Sequence, residues 1–131
     1  MIEEKYYFKT EIAQGFGEAV ASVREALSKE GFGVLTEVDV RATLKTKIGA
    51  DFRPYVILGA CNPPLAYKTL QAEKHIGLML PCNVVVQEGE GGSTVVSAIN
   101  PEAAMASVGN PELAPVAEEV TEKLRRVIAS L

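Results

Sequence analysis

The chain has 131 residues, a length that suits one domain with a single hydrophobic core. Hydrophobic residues make up 47% and charged residues 23% of the chain, close to globular averages, which argues against disordered, collagen-like and coiled-coil classes. The net charge of -4 argues against nucleic-acid and anionic-membrane partners, because binding phosphates requires clustered Lys and Arg. With two Cys and one His, the chain lacks a disulfide framework and a zinc motif, so no metal or cofactor is expected.

The amino terminus begins Met1-Ile2-Glu3-Glu4-Lys5 and lacks the apolar stretch of a signal peptide. No run of about 18 apolar residues follows anywhere in the chain, so no membrane partner is expected. These features predict a cytoplasmic protein. Because that compartment keeps thiols reduced, Cys61 and Cys82 are predicted to be free thiols.

The first half of the chain alternates strand and helix patterns. Residues 6–10 form an aromatic run typical of a short strand. A helix is predicted next, ending at a left-handed cap on Gly31, because Phe16, Val20, Val23 and Leu27 recur at helical spacing. Residues 34–40 alternate with the two-residue period of a half-buried strand, and Asp39 is placed to cap a short helix over 41–48.

The second half contains an apolar strand, a helix, a hairpin and a final helix. Residues 55–61 are almost unbroken apolar and predict a central strand, after which Asn62-Pro63 begins a helix running to about Gly77. Residues 84–86 and 94–99 flank the glycine-rich segment 88–92 and predict a hairpin. The last helix has one apolar side, made by Val116, Val120, Leu124, Val127 and Leu131.

This order predicts a single domain over residues 1–131 with an α+β fold. We expect two layers: a mostly antiparallel sheet of about five strands, with helices covering one face. An α/β fold with a parallel sheet is the alternative.

Three Asn-Pro pairs precede predicted helical segments, at Asn62, Asn100 and Asn110. An Asn side chain accepts a hydrogen bond from a free amide at a helix N-terminus, and Pro at the next position lacks a donor that would go unpaired. We therefore interpret these pairs mainly as helix caps. The Asn62 pair is set apart from the others because a cysteine precedes it.

Cys61 and Cys82 both lie at the end of a predicted strand, beside Asn62 and Asn83. A thiol at a helix N-terminus becomes more acidic and more reactive. Cys61 has this position, because it directly precedes the helix predicted to begin at Asn62-Pro63. If their strands are antiparallel, the two thiols lie at one edge of the sheet; if parallel, they are separated by one strand length, on the order of 20 Å. His75 falls near the end of the intervening helix. It is a candidate third member of the site, although the spacing matches no metal motif.

Four segments of the chain match a known family: Leu58-Gly-Ala-Cys-Asn-Pro63, Leu70-Gln-Ala-Glu73, the stretch from Ile76 to Val86 and Ala98-Ile-Asn-Pro101. They resemble the domain-of-unknown-function 302 family, a family of uncharacterised small bacterial and archaeal domains. The resemblance implies a compact α+β domain with a TATA-binding-protein-like, helix-grip arrangement and a tendency to form homodimers. It implies no activity.

Together these features favour a non-catalytic homodimer that binds a small ligand or a protein partner. The candidate site comprises Cys61, Asn62, Cys82, Asn83 and His75, because scarce residue types converge there at strand ends and a helix terminus. The alternative is a thiol-dependent redox or sulfur-carrier protein with Cys61 as the nucleophile. A purely structural role through a dimer surface is a third hypothesis.

Overall fold

All the strands of the chain pair antiparallel in one sheet. The computed structural model describes residues 1–131, and its six strands lie in the order β1-β2-β6-β5-β4-β3. The strands are β1 (Ile2–Glu3), β2 (Tyr7–Ile12), β3 (Gly33–Asp39), β4 (Tyr55–Cys61), β5 (Cys82–Glu88) and β6 (Thr94–Ile99). The helices are α1 (Phe16–Lys29), α2 (Val40–Ile48), α3 (Pro63–Ala72), α4 (Pro101–Met105) and α5 (Ala114–Ala129). The predicted α+β class with an antiparallel sheet is confirmed, and the parallel alternative is not supported.

The sheet is built around the hairpin of β5 and β6, which occupies its middle. β2 pairs with the outer side of β6, and β4 pairs with the outer side of β5. The short strand β1, which the sequence does not reveal, extends one edge by pairing Ile2 with Lys9. It raises the strand number from the expected five or so to six.

The hydrophobic core lies between one face of the sheet and the helices α1 and α5. Alternate side chains on the central strands point to this face, as the two-residue period of a strand requires. Fully burying an aliphatic or aromatic side chain of this size contributes roughly 1.5–3 kcal/mol. The large residues of the hydrophobic core, each at most 1% exposed, are Phe8, Val23, Leu27, Leu58, Val84, Val86, Val96, Leu124, Val127 and Ile128.

The opposite face of the sheet is not covered by α1 or α5, and we call it the open face. Apolar side chains lie half-buried on it in a groove of about 390 Å³. Polar side chains of the sheet, including Lys9 and Asn83, line the same groove. At its rim Arg53 stacks on Phe52 and donates hydrogen bonds to the Gln87 side chain. The apolar residues that line the groove are Tyr7, Tyr55, Val85, Val95 and Ile99.

The predicted helix caps are confirmed. The side chains of Asn62, Asn100 and Asn110 each accept hydrogen bonds from backbone amides at the start of a helix or 3₁₀ turn. Asp39 caps α2 in the same way, accepting from the Ala42 amide at 2.9 Å. Gly31 has the expected positive φ, +84°, just after α1.

The predicted extent of the third helix is wrong. α3 ends at Ala72 and not near Gly77, and a separate 3₁₀ turn follows at Ile76–Met79. The Asn110 side chain donates a hydrogen bond to the Ala72 carbonyl at 2.9 Å. That carbonyl, left free at the helix end, is therefore paired by a residue distant in sequence.

The predicted half-burial of the second strand is also wrong. β3 is an edge strand, and of its residues only Val34 is half-buried, while Leu35 and Val38 are exposed. A bulge between Val34 and Thr36 shifts the pairing with β4, so the sequence alternation does not persist as two distinct faces.

None of the helices combines the length and the apolar character that crossing a membrane requires.

Candidate functional site

A cavity of about 280 Å³ lies at the end of the sheet where β4 finishes and β5 starts. α3 contributes its inward side, and Met105 of α4 and Val120 of α5 complete the wall. Leu35 of the edge strand and Leu70 of α3 line it as well, although both are substantially exposed. The cavity is therefore an opening from the surface toward the core.

The antiparallel pairing of β4 and β5 brings both thiols to this cavity. Ala60 lies opposite Cys82 in the register, and Cys61 is the next residue along β4. Both cysteines are free and line the cavity, Cys61 half-buried and Cys82 buried. The sequence expectation that antiparallel strands place both thiols at one edge of the sheet agrees with this arrangement.

The two thiols have different surroundings. Cys82 belongs to the hydrophobic core and is 7% exposed. Its burial, followed by the negative charge that Cys61 carries when ionised, raises the pKa of Cys82 from 9.0 to about 11. Cys82 is therefore protonated at neutral pH and is a poor nucleophile there, because the thiolate is the reactive form.

Asn62 fixes the position of α3 beside the thiols. Its Oδ1 accepts a hydrogen bond from the Leu65 amide at 3.3 Å, and its Nδ2 donates to the Glu30 carbonyl at 3.4 Å. One side chain thus joins the start of α3 to the end of α1. A Cβ atom on Gly31 would lie 3.0 Å from the Asn62 Nδ2, so this close approach favours glycine there in addition to the positive φ.

The other polar side chain of the cavity wall, that of Thr69, is engaged internally. The Thr69 hydroxyl donates to the Leu65 carbonyl within α3 at 2.7 Å. No Asp, Glu, Lys, Arg or His lines the cavity. No three His, Cys, Asp or Glu side chains of the chain are grouped as metal ligands. The cavity therefore has an apolar lining in which Asn62 and Thr69 are already held in hydrogen bonds within the protein. The two thiols are its remaining polar side chains.

Comparison with known proteins identifies the family. The family model "Domain of unknown function DUF302" matches residues 8–131, which is nearly the whole chain. The chain belongs to the DUF302 family. The fold is similar to that in the crystal structure of an uncharacterised conserved DUF302 protein from Bacillus stearothermophilus, with 31% sequence identity and a TM-score of 0.86. That similarity covers 94% of this chain and 95% of the other. No curated protein matches.

This DUF302 chain brings three of the predicted site residues together and leaves two apart. Cys61, Asn62 and Cys82 line the cavity. His75 is exposed in the turn after α3 and does not line it. Asn83 follows Cys82 but lies in the groove of the open face, because successive side chains of a strand point to opposite faces.

Several lining residues of this DUF302 site escape sequence reasoning. Met105 and Val120 come from segments far along the chain, and their place in the wall depends on how α4 and α5 pack. Leu35 has a weak sequence signal, since it is an apolar residue in the polar half of an alternating strand. Leu70 lies within one of the segments that resemble the family.

Proposed function

We propose that this DUF302 chain is a non-catalytic domain that binds a small ligand in the cavity between the β4–β5 edge and α3. The observation that supports this most is the cavity itself, about 280 Å³ with an apolar lining. That volume is near the lower end of ordinary small-molecule sites, about 300–1,000 Å³. Leu35 and Leu70 at the opening are 68% and 43% exposed, an apolar surface that a ligand would cover.

The test is to identify what the protein retains when it is purified from its own cells. Organic extracts of the wild type and of Ala66→Leu are compared by mass spectrometry. Ala66 is a half-buried residue of the cavity wall, so a larger side chain there reduces the space. The matched control is Ala21→Leu, on the exposed side of α1.

We expect a compound in the extracts of the wild type and of Ala21→Leu that is absent from the extract of Ala66→Leu. Extracts that are the same for all three proteins would contradict ligand binding in the cavity.

We propose further that the domain functions as a homodimer through its open face. The apolar side chains Tyr7, Val85 and Val95 lie on a sheet face that neither α1 nor α5 covers. In a twofold-symmetric pair the same patch on each copy covers the other, which removes this apolar surface from water.

Light scattering coupled to size-exclusion chromatography tests the dimer. We expect the mass of two chains for the wild type and of one chain for Val85→Lys, because a charge at the centre of the patch would be buried without a partner. Ala21→Lys, at an exposed position of α1, is the control and is expected to stay dimeric. A wild type with the mass of one chain at all concentrations tested would contradict the proposal.

A second candidate function is thiol chemistry, as in a redox or sulfur-carrier protein with Cys61 as the nucleophile. It is supported by the position of Cys61, which is half-buried on the cavity wall and directly precedes the residue that caps α3. Measuring the rate of iodoacetamide modification of Cys61 against pH in Cys82→Ala tests it. A reactive Cys61 ionises well below the ordinary thiol pKa of about 8.5, and ionisation at or above that value would exclude this candidate.

A further inference from the structure

The hydrogen-bonding groups in the cavity wall limit what kind of ligand the cavity accepts. Only two residues of the wall, Asn62 and Thr69, have side chains with strong hydrogen-bonding groups. The Asn62 amide has an acceptor contact with α3 and a donor contact with the end of α1. The Thr69 hydroxyl donates its hydrogen bond to the Leu65 carbonyl. No buried side-chain N or O atom in the protein is left without a partner.

A charged ligand group would therefore find no charged side chain in the cavity, and a strongly polar group would find only the remaining hydrogen-bonding capacity of Asn62 and Thr69. Either group would lose its water and meet aliphatic side chains such as Leu65 and Leu80, together with the two thiols. Thiols are weak hydrogen-bond donors and acceptors. Leaving a buried polar group without a partner is unfavourable, and leaving a buried charge without one is far more so.

The thiols and Met105 add a preference of their own. Sulfur atoms are polarisable and pack favourably against apolar and aromatic groups. Cys61, Cys82 and Met105 place three sulfur-bearing side chains in the wall of one small cavity. A hydrocarbon or aromatic group gains dispersion contacts there and loses no hydrogen bond.

We infer that the cavity selects an uncharged, predominantly apolar small molecule and discriminates against anionic ligands of the same shape. This inference rests on the proposed ligand-binding function and specifies the ligand class for that site.

The test compares two probes of matched chain length, n-octanol and octanoate, by titration into the full-length protein. Binding is followed through the methyl NMR signals of Leu65, Ala66 and Met105, which line the cavity. We expect saturable shifts with n-octanol and at least about tenfold weaker binding of octanoate. Ala66→Leu is expected to weaken n-octanol binding, and Ala21→Leu is expected to leave it unchanged.

A second variant introduces a compensating charge. Leu70→Lys changes a side chain that is 43% exposed, so the folded core is not disturbed. We expect it to strengthen octanoate binding relative to n-octanol, because a cation then lies at the cavity wall. This arm keeps the test valid even if Ala66→Leu fails to fold.

The outcomes separate the two proposals. If octanoate binds the wild type as tightly as n-octanol and both are weakened by Ala66→Leu, the ligand class is wrong and the cavity remains a binding site. If neither probe gives saturable shifts, or if Ala66→Leu binds the two probes as tightly as the wild type does, the ligand-binding function itself is wrong.

Discussion

Replacing Gly59 with alanine tests how tightly the strands pack next to the cavity. Gly59 lies within β4, between Thr36 of the edge strand β3 and Asn83 of β5. A Cβ atom at this position would overlap the Thr36 Oγ1 and lie 2.6 Å from the Pro81 Cγ. Both approaches are closer than the ordinary contact of about 3.5–4.0 Å between carbon atoms, so both neighbours, or the Gly59 backbone itself, must shift. The Pro81 ring has little freedom to do so, because it is closed on its own backbone.

The expected loss of stability follows from two opposing contributions. Forcing an extra methyl group into a packed site costs typically about 1–3 kcal/mol. Replacing glycine by alanine also removes freedom from the unfolded chain, which offsets about 0.4–1 kcal/mol of that loss. We therefore expect Gly59→Ala to lower the free energy of unfolding by about 1–2 kcal/mol.

Urea denaturation followed by circular dichroism provides the measurement. We expect a lower midpoint for Gly59→Ala with an unchanged slope, since the surface exposed on unfolding is the same. Gly33→Ala on β3 is the control: its Cβ would meet nothing within 4 Å, so a change below about 0.5 kcal/mol is expected. Combining Gly59→Ala with Thr36→Ala removes one of the two clashes and is expected to recover part of the loss.

The reasoning is refuted if Gly59→Ala is as stable as the wild type. It is also refuted if the double variant shows only the sum of the single effects, because Thr36 then does not restrict the site.

Three further predictions concern the helix cap, the buried thiol and the core. Asn62→Ala is expected to lower stability by about 1 kcal/mol, measured by urea denaturation, because α3 loses its cap, whereas Asn62→Asp retains the capping oxygen. The pKa of Cys82 is about 11 in the folded protein and about 9.0 in the unfolded chain. The contribution of this thiol to the free energy of unfolding is therefore complete below pH 9 and decreases by about 2–3 kcal/mol as the pH rises toward 11. Cys82→Ala is expected to abolish this dependence in denaturation curves taken at each pH. Leu58→Ala, at a position 0% exposed, is expected to cost about 2–5 kcal/mol by thermal denaturation, while Tyr67→Ala, 65% exposed, is expected to change stability by less than about 0.5 kcal/mol.

Features fixed by neighbouring residues could be predicted from the sequence. The caps at Asn62, Asn100 and Asn110 follow from local chemistry alone, because the side chain bonds to amides two or three residues away. The hairpin of β5 and β6 follows from two apolar strands around a glycine-rich turn. Once the sheet is antiparallel, the meeting of Cys61 and Cys82 at one edge follows as well.

Features fixed by distant contacts could not be predicted. At the end of α3 the Ala72 carbonyl accepts a hydrogen bond from the Asn110 side chain, and no local sequence pattern connects Asn110 to α3. The burial of β3 depends on its place at the edge of the sheet, which alternation along one strand does not indicate. His75 and Asn83 lie near the thiols in sequence, but a turn and the strand pleat direct them elsewhere.

The central position of the β5–β6 hairpin affects how the chain folds as it is synthesised. β2 and β4 precede the hairpin in the sequence, yet each has its inner partner in this late hairpin. Tyr7 of β2, for example, pairs with Ile99, so the contact closes a long loop that slows folding. As the chain leaves the ribosome from its N-terminus, β2 has no inner partner until residues 94–99 emerge. The hairpin therefore joins two halves of the sheet that cannot associate without it.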